Sequence, residues 1–383
     1  MNNRFKHALT IALLMLFLVS CTASSPQATP APPYWPTDGW RTSTPEEQGI
    51  DSEELVAMIE YVQRMKYDVD SVVVIRHGYK VAQINFHPYI SGQRHILYSC
   101  TKSVVSALIG IAIEEGLIEG VNQPMLDFFP DYTPENMDED KESMTVEDLL
   151  TMTTGFECRD SYLYDNQGLV EMHESDDWVQ HVLDLPMAKE PGTYFEYCNG
   201  SSFLLSAIIT QVTGMSALEY AQEKLFPPMG ITDASWDASP DGINYGYSHL
   251  FMLPEDMAKF GYLYLHNGVW DGEKLVPAEW VETSTQEHIA AGTLQDGYGY
   301  QWWTDDAGYY MALGYRGQFI FVLSDLDMVV FIVSDRYEGD FEAPEYLLTE
   351  YIIPATSTKA GPLRENPDGF DQLQAKIEEV AGP

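Results

Sequence analysis

From Val104 to Ile113 the chain runs through ten residues that carry no charge and a single hydroxyl, Ser106. A helix over this stretch is apolar on nearly every side, so it has to lie inside the protein. Whatever stands at its start is drawn into the interior with it. What stands there is Ser99-Cys100-Thr101-Lys102, the one S-x-x-K in the chain. In a first helical turn the side chains at i and i+3 share a face, which brings the Lys102 amine within reach of the Ser99 hydroxyl. A lysine removed from water favours its neutral form and so accepts a proton from serine, while the N–H groups of a helix start favour developing negative charge. Those are the requirements of an activated nucleophile. The plainer alternative makes Ser99 an N-cap and Lys102 a surface lysine lying along the helix. Four residues do not decide between the two.

Two further stretches bear on the question. In PGTYFEYCNG, residues 191–200, Tyr197 and Asn199 precede another apolar helix. A phenol beside an ammonium group has its charged form favoured, so Tyr197 next to Lys102 would shuttle protons between the serine and a leaving group. Asn199 both donates and accepts, which suits it to hold Lys102 or a substrate amide. In GYRGQFIFVL, residues 314–323, a glycine turn enters a strand. Gly317 would let a substrate lie against the backbone, the Gln318 N–H would pair with that of Ser99 as an oxyanion hole, and Arg316 offers a guanidinium to a carboxylate. Taken singly, Tyr197 reads equally as a core aromatic and the glycine turn as an ordinary hairpin. Tyr164, Trp178, Trp302 and Trp303 are candidates for pocket walls, although isolated aromatics more often belong to a core.

Other site types lack their residues. The chain has no H-E-x-x-H, no paired C-x-x-C, no G-x-x-x-x-G-K-[ST], no G-x-G-x-x-G and no G-x-S-x-G, so no cofactor or metal is expected. Chance clusters among 59 acidic residues leave weak metal binding open. A formal charge of −39 opposes approach to phosphate backbones, and nucleic acid is not an expected partner.

The N-terminus reads as an export signal. Arg4 and Lys6 precede an apolar stretch from Ala8 to Val19, too short to span a bilayer comfortably, and LVSC ends at Cys21. LVSC resembles the bacterial lipobox, which implies lipidation of Cys21 and a partner in the lipid bilayer on the extracytoplasmic side, at the cell surface or in the periplasm. Residues 1–20 are then a lipoprotein signal and 21–40, rich in Pro, Ser, Thr and Ala, a flexible tether. With Cys21 acylated, three cysteines remain and at most one pair bridges. Cys158 with Cys198 is the favoured pair, because Cys100 at the head of a buried helix behaves as a small hydrophobe.

Beyond the tether, STPEEQGIDSEELVAMIEYVQRM predicts an amphipathic helix with Thr44 as its cap, and DSVVVIRHGYKVAQINF a hairpin around His77-Gly78. Phe319–Leu323 and Met328–Val333 predict a second hairpin near the other end. Between them, about 99–225 is mostly helical, with starts after Ser99, Thr145, Asp176 and Asn199. The simplest α/β (α+β) architecture joins the terminal strands in one mainly antiparallel sheet flanked by helices, with a helical region inserted. The domain would span 41–358, leaving 359–383 as a C-terminal tail.

The order of S-x-x-K, Y-x-N and a glycine motif entering a late strand resembles the β-lactamase and penicillin-binding-protein superfamily, specifically its class C and esterase-like branch. The stretches TPEEQGID, VEDLLTMTTGF, LFPPMGITDASW and DMAKFGYLYLHNGVWDGEKLVP are similar to that family's sequences, and the likeness runs from about Trp40 to Pro354. It implies a nucleophile at Ser99, an acid–base pair at Lys102 and Tyr197, an orienting residue at Asn199, and an oxyanion hole from the Ser99 and Gln318 N–H groups. One motif departs from the pattern. Where lactamases and transpeptidases carry Lys-Thr-Gly or His-x-Gly, this chain has Tyr315-Arg316-Gly317, a form that resembles relatives hydrolysing small esters or linear amide oligomers. The leading expectation is therefore an exported serine hydrolase acting on small esters or amides. Two alternatives stay open: a penicillin-binding protein, D,D-carboxypeptidase or β-lactamase acting on wall peptides or β-lactams, and a non-catalytic binding lipoprotein on the same fold.

Overall fold

Strands from the two ends of the chain meet in the middle of one sheet. Val69–Arg76 pairs with Tyr79–Asn85 through the His77-Gly78 turn, and Gln318–Leu323 pairs with Met328–Ser334. The two hairpins join antiparallel, with Val330 opposite Val74 and Phe331 opposite Val73. The structure is a computed structural model that describes residues 34–89, 91–160, 166–292, 295–335, 342–359 and 361–382. The export signal, Cys21 and Tyr164 lie outside the described residues.

Among the described residues nine strands make the sheet, in the order Arg41–Thr42, Tyr79–Asn85, Val69–Arg76, Met328–Ser334, Gln318–Leu323, Tyr310–Gly314, Trp303–Thr304, Gly297–Tyr298, Ile289–Ala290. Only the first pair is parallel. Every residue of Gln318–Leu323 and Met328–Ser334 is buried, so both faces are covered, which explains why these strands read as unbroken apolar runs. The Pro254–Leu265 helix covers the face of Ile320, Val322 and Val329, and Gly261 gives it the close approach.

Helical starts differ in detail from the sequence reading. The first helix is Ser52–Met65, capped by the Asp51 carboxylate on the Glu53 N–H, because Gly49 turns the chain after a short 3-10 turn at Glu46–Gln48. Thr145 and Asp148 form a reciprocal capping box, and the cap before Trp178–Leu183 is Asp177, one residue later than expected. Between Ile96 and Ser235 the described residues hold helices and no strand.

Both ends of the domain extend further than the sequence suggested. The tether's last residues are packed: Trp35 lies against Trp270, His266 and Tyr262, and the Trp40 indole N–H donates to the Glu255 carbonyl at 3.1 Å. The segment 359–383, expected as a tail, carries the helix Pro367–Ala381, which packs on Ser52–Met65 and on Tyr79–Asn85. Its apolar residues Leu373 and Val380 are buried, a reason for docking that its charged exterior concealed.

Candidate active site

The buried helix spans Thr101–Glu114, and Tyr98–Cys100 forms a 3-10 turn leading into it. Ser99 thus stands one turn before the α-helix rather than in it, and makes no side-chain cap. In a 3-10 turn residues i and i+3 eclipse, which strengthens the approach of Lys102 to Ser99. The turn is held from outside: Leu97 N–H donates to Leu250 O at 2.9 Å, and Cys100 Sγ lies 3.4 Å from Gln318 O. Tyr98, immediately before Ser99, has φ of 44°, a left-handed conformation that a non-glycine residue keeps only where its surroundings impose it.

Lys102 is 1% exposed. Its Nζ lies 3.2 Å from Ser99 Oγ, 2.8 Å from Asn199 Oδ1 and 3.0 Å from the Tyr247 carbonyl oxygen. Burial lowers its pKa to about 7, with Asp160 opposing the shift. Two of the three neighbours are fixed acceptors. A neutral amine therefore spends its two N–H bonds on Asn199 and Tyr247 and turns its lone pair to the serine hydroxyl. The surface-lysine alternative does not survive this burial.

Tyr197 and Asn199 arrive from the start of the Asn199–Thr213 helix, which is buried along most of its length. Lys102 Nζ stands 4.7 Å from the Tyr197 ring centroid, and the ring stacks on Trp303 with centroids 5.9 Å apart. Cys198, between the two site residues, is bonded to Cys158, with Cα atoms 5.7 Å apart, while Cys100 is a buried thiol. Trp302 lies in the core against Phe260, and Trp178 stacks on His173, whose Nε2 meets the Tyr247 hydroxyl at 2.6 Å.

The glycine turn of residues 314–317 is assigned differently from the sequence reading. A side chain at Gly317, whose φ is 86°, would run into the Ser334 hydroxyl, so the missing Cβ serves the turn and leaves no room there for a substrate. The close approach to Ser99 belongs to Gly314: a Cβ there would stand 3.2 Å from Ser99 N and 2.5 Å from Leu97 O. Gln318 pairs with Gly314 across the sheet, so its backbone lies beside the same point, and its side chain Nε2 donates to Ser334 O at 2.5 Å. Arg316 is drawn aside as well. Its Nη1 meets Asp335 Oδ1 at 2.5 Å, and the charge offered to a substrate carboxylate is already answered.

Two neighbours of Lys102 were not found in the sequence. Tyr247 contributes its carbonyl as the hydrogen-bond acceptor, with its ring 5.8 Å from Lys102 Nζ, and is placed because Leu250–Met252 pairs with His95–Ile96 just upstream of Ser99. Asp160 takes the Asn199 N–H at 2.7 Å; its position two residues after Cys158 was the available signal, since the bridge to Cys198 carries it to Asn199. Cys158, Asp160 and Cys198 bring ligand atoms within 4.8 Å of one another, but both sulfurs are spent in the disulfide and a lone carboxylate does not hold a metal.

Comparison with known proteins places this geometry in context. The family model described as Beta-lactamase matches residues 59–350. The 6-aminohexanoate-dimer hydrolase of Paenarthrobacter ureafaciens is 24% identical over 294 residues, 71% of this chain and 74% of that protein. Among solved structures, the octameric penicillin-binding protein homologue from Pyrococcus abyssi superposes with a TM-score of 0.61 at 19% identity, covering 81% of this chain and 78% of that one. A family VIII carboxylesterase superposes with a TM-score of 0.65 at 15% identity, covering 82% and 98%.

Proposed function

Because the chain belongs to the Beta-lactamase family, and that family and its relatives make it a hydrolase of the serine β-lactamase superfamily, we propose that it is an exported serine hydrolase cleaving small ester or amide bonds through an acyl-enzyme on Ser99. The observation that carries the reading is Lys102, fully buried, 3.2 Å from Ser99 Oγ and driven toward neutrality. Neutral Lys102 takes the hydroxyl proton as Ser99 Oγ bonds to the substrate carbonyl carbon. The oxyanion turns to the Ser99 and Gln318 N–H groups. As the C–O or C–N bond breaks, the proton passes from Lys102, with Tyr197 as its partner, to the leaving group. Water then attacks the acyl carbonyl and gives its proton to the same base; as the bond from the acyl carbon to Ser99 Oγ breaks, that proton returns to Oγ, releasing the acid and restoring Ser99. No step calls for a cofactor or a metal.

Arg316 is engaged by Asp335 and no lysine stands at its side, so the third motif offers a substrate carboxylate less than the lysine of a Lys-Thr-Gly motif would. Linear amides of the kind named for the Paenarthrobacter ureafaciens relative, and small esters, head the substrate panel. A fluorophosphonate probe should label the wild-type protein and leave Ser99→Ala unlabelled, with p-nitrophenyl ester turnover following the same pattern. Equal labelling of both would remove the reading. Stable capture of fluorescent penicillin would instead favour a wall-peptide enzyme. The acid limb of kcat/KM should lie near pH 7: Lys102 is a base only when unprotonated, so activity rises with pH through that region.

Export and acylation at Cys21 belong to the same proposal. The basic start, the short apolar stretch and LVSC support them, as does a disulfide that persists in oxidising compartments. Replacing Cys21 by Ser should move the protein from the membrane fraction to the soluble one.

A further inference from the structure

Asp160 lies outside all three sequence motifs, yet it is one of the most closely held residues near Lys102. Its Oδ2 accepts the Asn199 N–H at 2.7 Å, at the first residue of the Asn199–Thr213 helix, where a negative charge is favoured by the helix dipole. The Cys158–Cys198 bridge ties the same loop to the residue between Tyr197 and Asn199. Gly168 closes the third side: a Cβ there would stand 2.8 Å from Asp160 Oδ1. Asp160 borders a cavity of about 10 Å³, also lined by His181, with room for about one water. These contacts fix the place of the Asp160 carboxylate.

We propose that Asp160 is a positioning residue for the Ser99–Lys102 pair, fixing Asn199 through its backbone N–H and opposing the lysine cation with its carboxylate. The proposal rests on the hydrolase reading above. The geometry makes a chain of contacts: Asp160 to Asn199 N–H, and Asn199 Oδ1 to Lys102 Nζ at 2.8 Å. If Asn199 turns, Lys102 loses one of the two acceptors that aim its lone pair at Ser99.

The charges around the pair are few. Lys102 is faced by Asp160, by the Cys100 thiol and by the rings of Tyr197 and Tyr247. Asp160 is faced by Lys102, by the Asn199 and Leu169 N–H groups and, across the cavity, by His181, which in turn feels Glu171, Asp184 and Arg159. Burial pushes the Asp160 carboxyl up to about 6, so it is ionised in the range where Lys102 changes state. Its negative charge favours protonated Lys102, and removing the charge makes the lysine a base at lower pH.

Two substitutions separate the hydrogen bond from the charge. Asp160→Asn keeps an oxygen for the Asn199 N–H but loses the carboxylate; its acid limb of kcat/KM should move down by about one pH unit, with KM within a few-fold of wild type. Asp160→Ala loses both, and kcat should fall about a hundred-fold, with Asp160→Asn recovering most of it. A merely structural role would alter stability and leave the pH profile in place. Fluorophosphonate labelling of Ser99 is run beside each variant. If wild type labels and turns over ester while the Asp160→Asn profile superimposes on it, the inference fails and the hydrolase reading stands; if wild type does not label, the hydrolase reading fails first.

Discussion

At the two helix starts, Ser99 to Lys102 and Tyr197 to Asn199, polar groups are carried inward and matched to one another. At the glycine turn, residues 314–317, they are led away from the site. Lys102 has three oxygen neighbours within 3.2 Å and almost no exposure, whereas Arg316 pairs with Asp335 in the turn at the end of two interior strands. Both regions carry one cation close to Ser99 in sequence or in space, yet only the first has its cation desolvated. The physical difference is the host element. A helix that is apolar all round takes its first turn into the core, while a turn at a sheet end leaves its side chains the choice of solvent.

The comparison breaks most sharply at Ser99. Replacing it by Ala should lower kcat by about a million-fold, the ordinary consequence of losing a nucleophile that acts with its base. A loss of only a few-fold would mean that the buried pair is structural and that the two regions differ in packing alone.

The glycines give the next largest effect, and they separate. Gly314→Ala places a methyl against Leu97 O and Ser99 N, and a displacement of Ser99 approaching 1 Å should cost about a hundred-fold in kcat. Gly317→Ala meets Ser334 and a φ of 86°, so it should cost roughly 1–3 kcal/mol of stability while the folded protein keeps kcat within a few-fold. Thermal melts and kcat measured together would show the pattern, and its reversal would return Gly317 to the substrate side. The disulfide belongs on the stability side too. Closing 40 residues, it should contribute about 4 kcal/mol on the chain-entropy account, and thiol counting on unreduced protein should find Cys100 alone in the folded domain.

How far the sequence reaches follows the same division. The Ser99–Lys102 contact is local, three residues apart on one turn, and the periodicity that buries it is written in the residues themselves. The joining of the end strands was legible for a similar reason, since fully apolar runs admit few places other than a sheet covered on both faces. Tyr247 was not legible: it offers a main-chain oxygen, which any residue has, and its place depends on the pairing of Leu250–Met252 with His95–Ile96. Gly314 and Gly317 are alike on paper, and what tells them apart is a contact made by Ser334, seventeen residues further on. Phe370, Leu373, Ile377 and Val380 do carry helical spacing, which the sequence reading passed over; what that spacing does not state is the surface on which such a helix docks.

Arg316 carries the smallest expected effect and the finest distinction. Its pair with Asp335 is short, but Asp335 is largely exposed, and such pairs contribute at most about 1 kcal/mol. Arg316→Ala should therefore leave the melting temperature within a few degrees and ester turnover within a few-fold. Substrates with and without a carboxylate then ask what the residue is for. If the guanidinium is answered by Asp335, both kinds should keep their KM; a tenfold rise for the carboxylate-bearing substrate alone would show that Arg316 leaves Asp335 on binding. In that case the turn resembles the helix starts after all, with a cation that reaches the site only when a substrate replaces its partner.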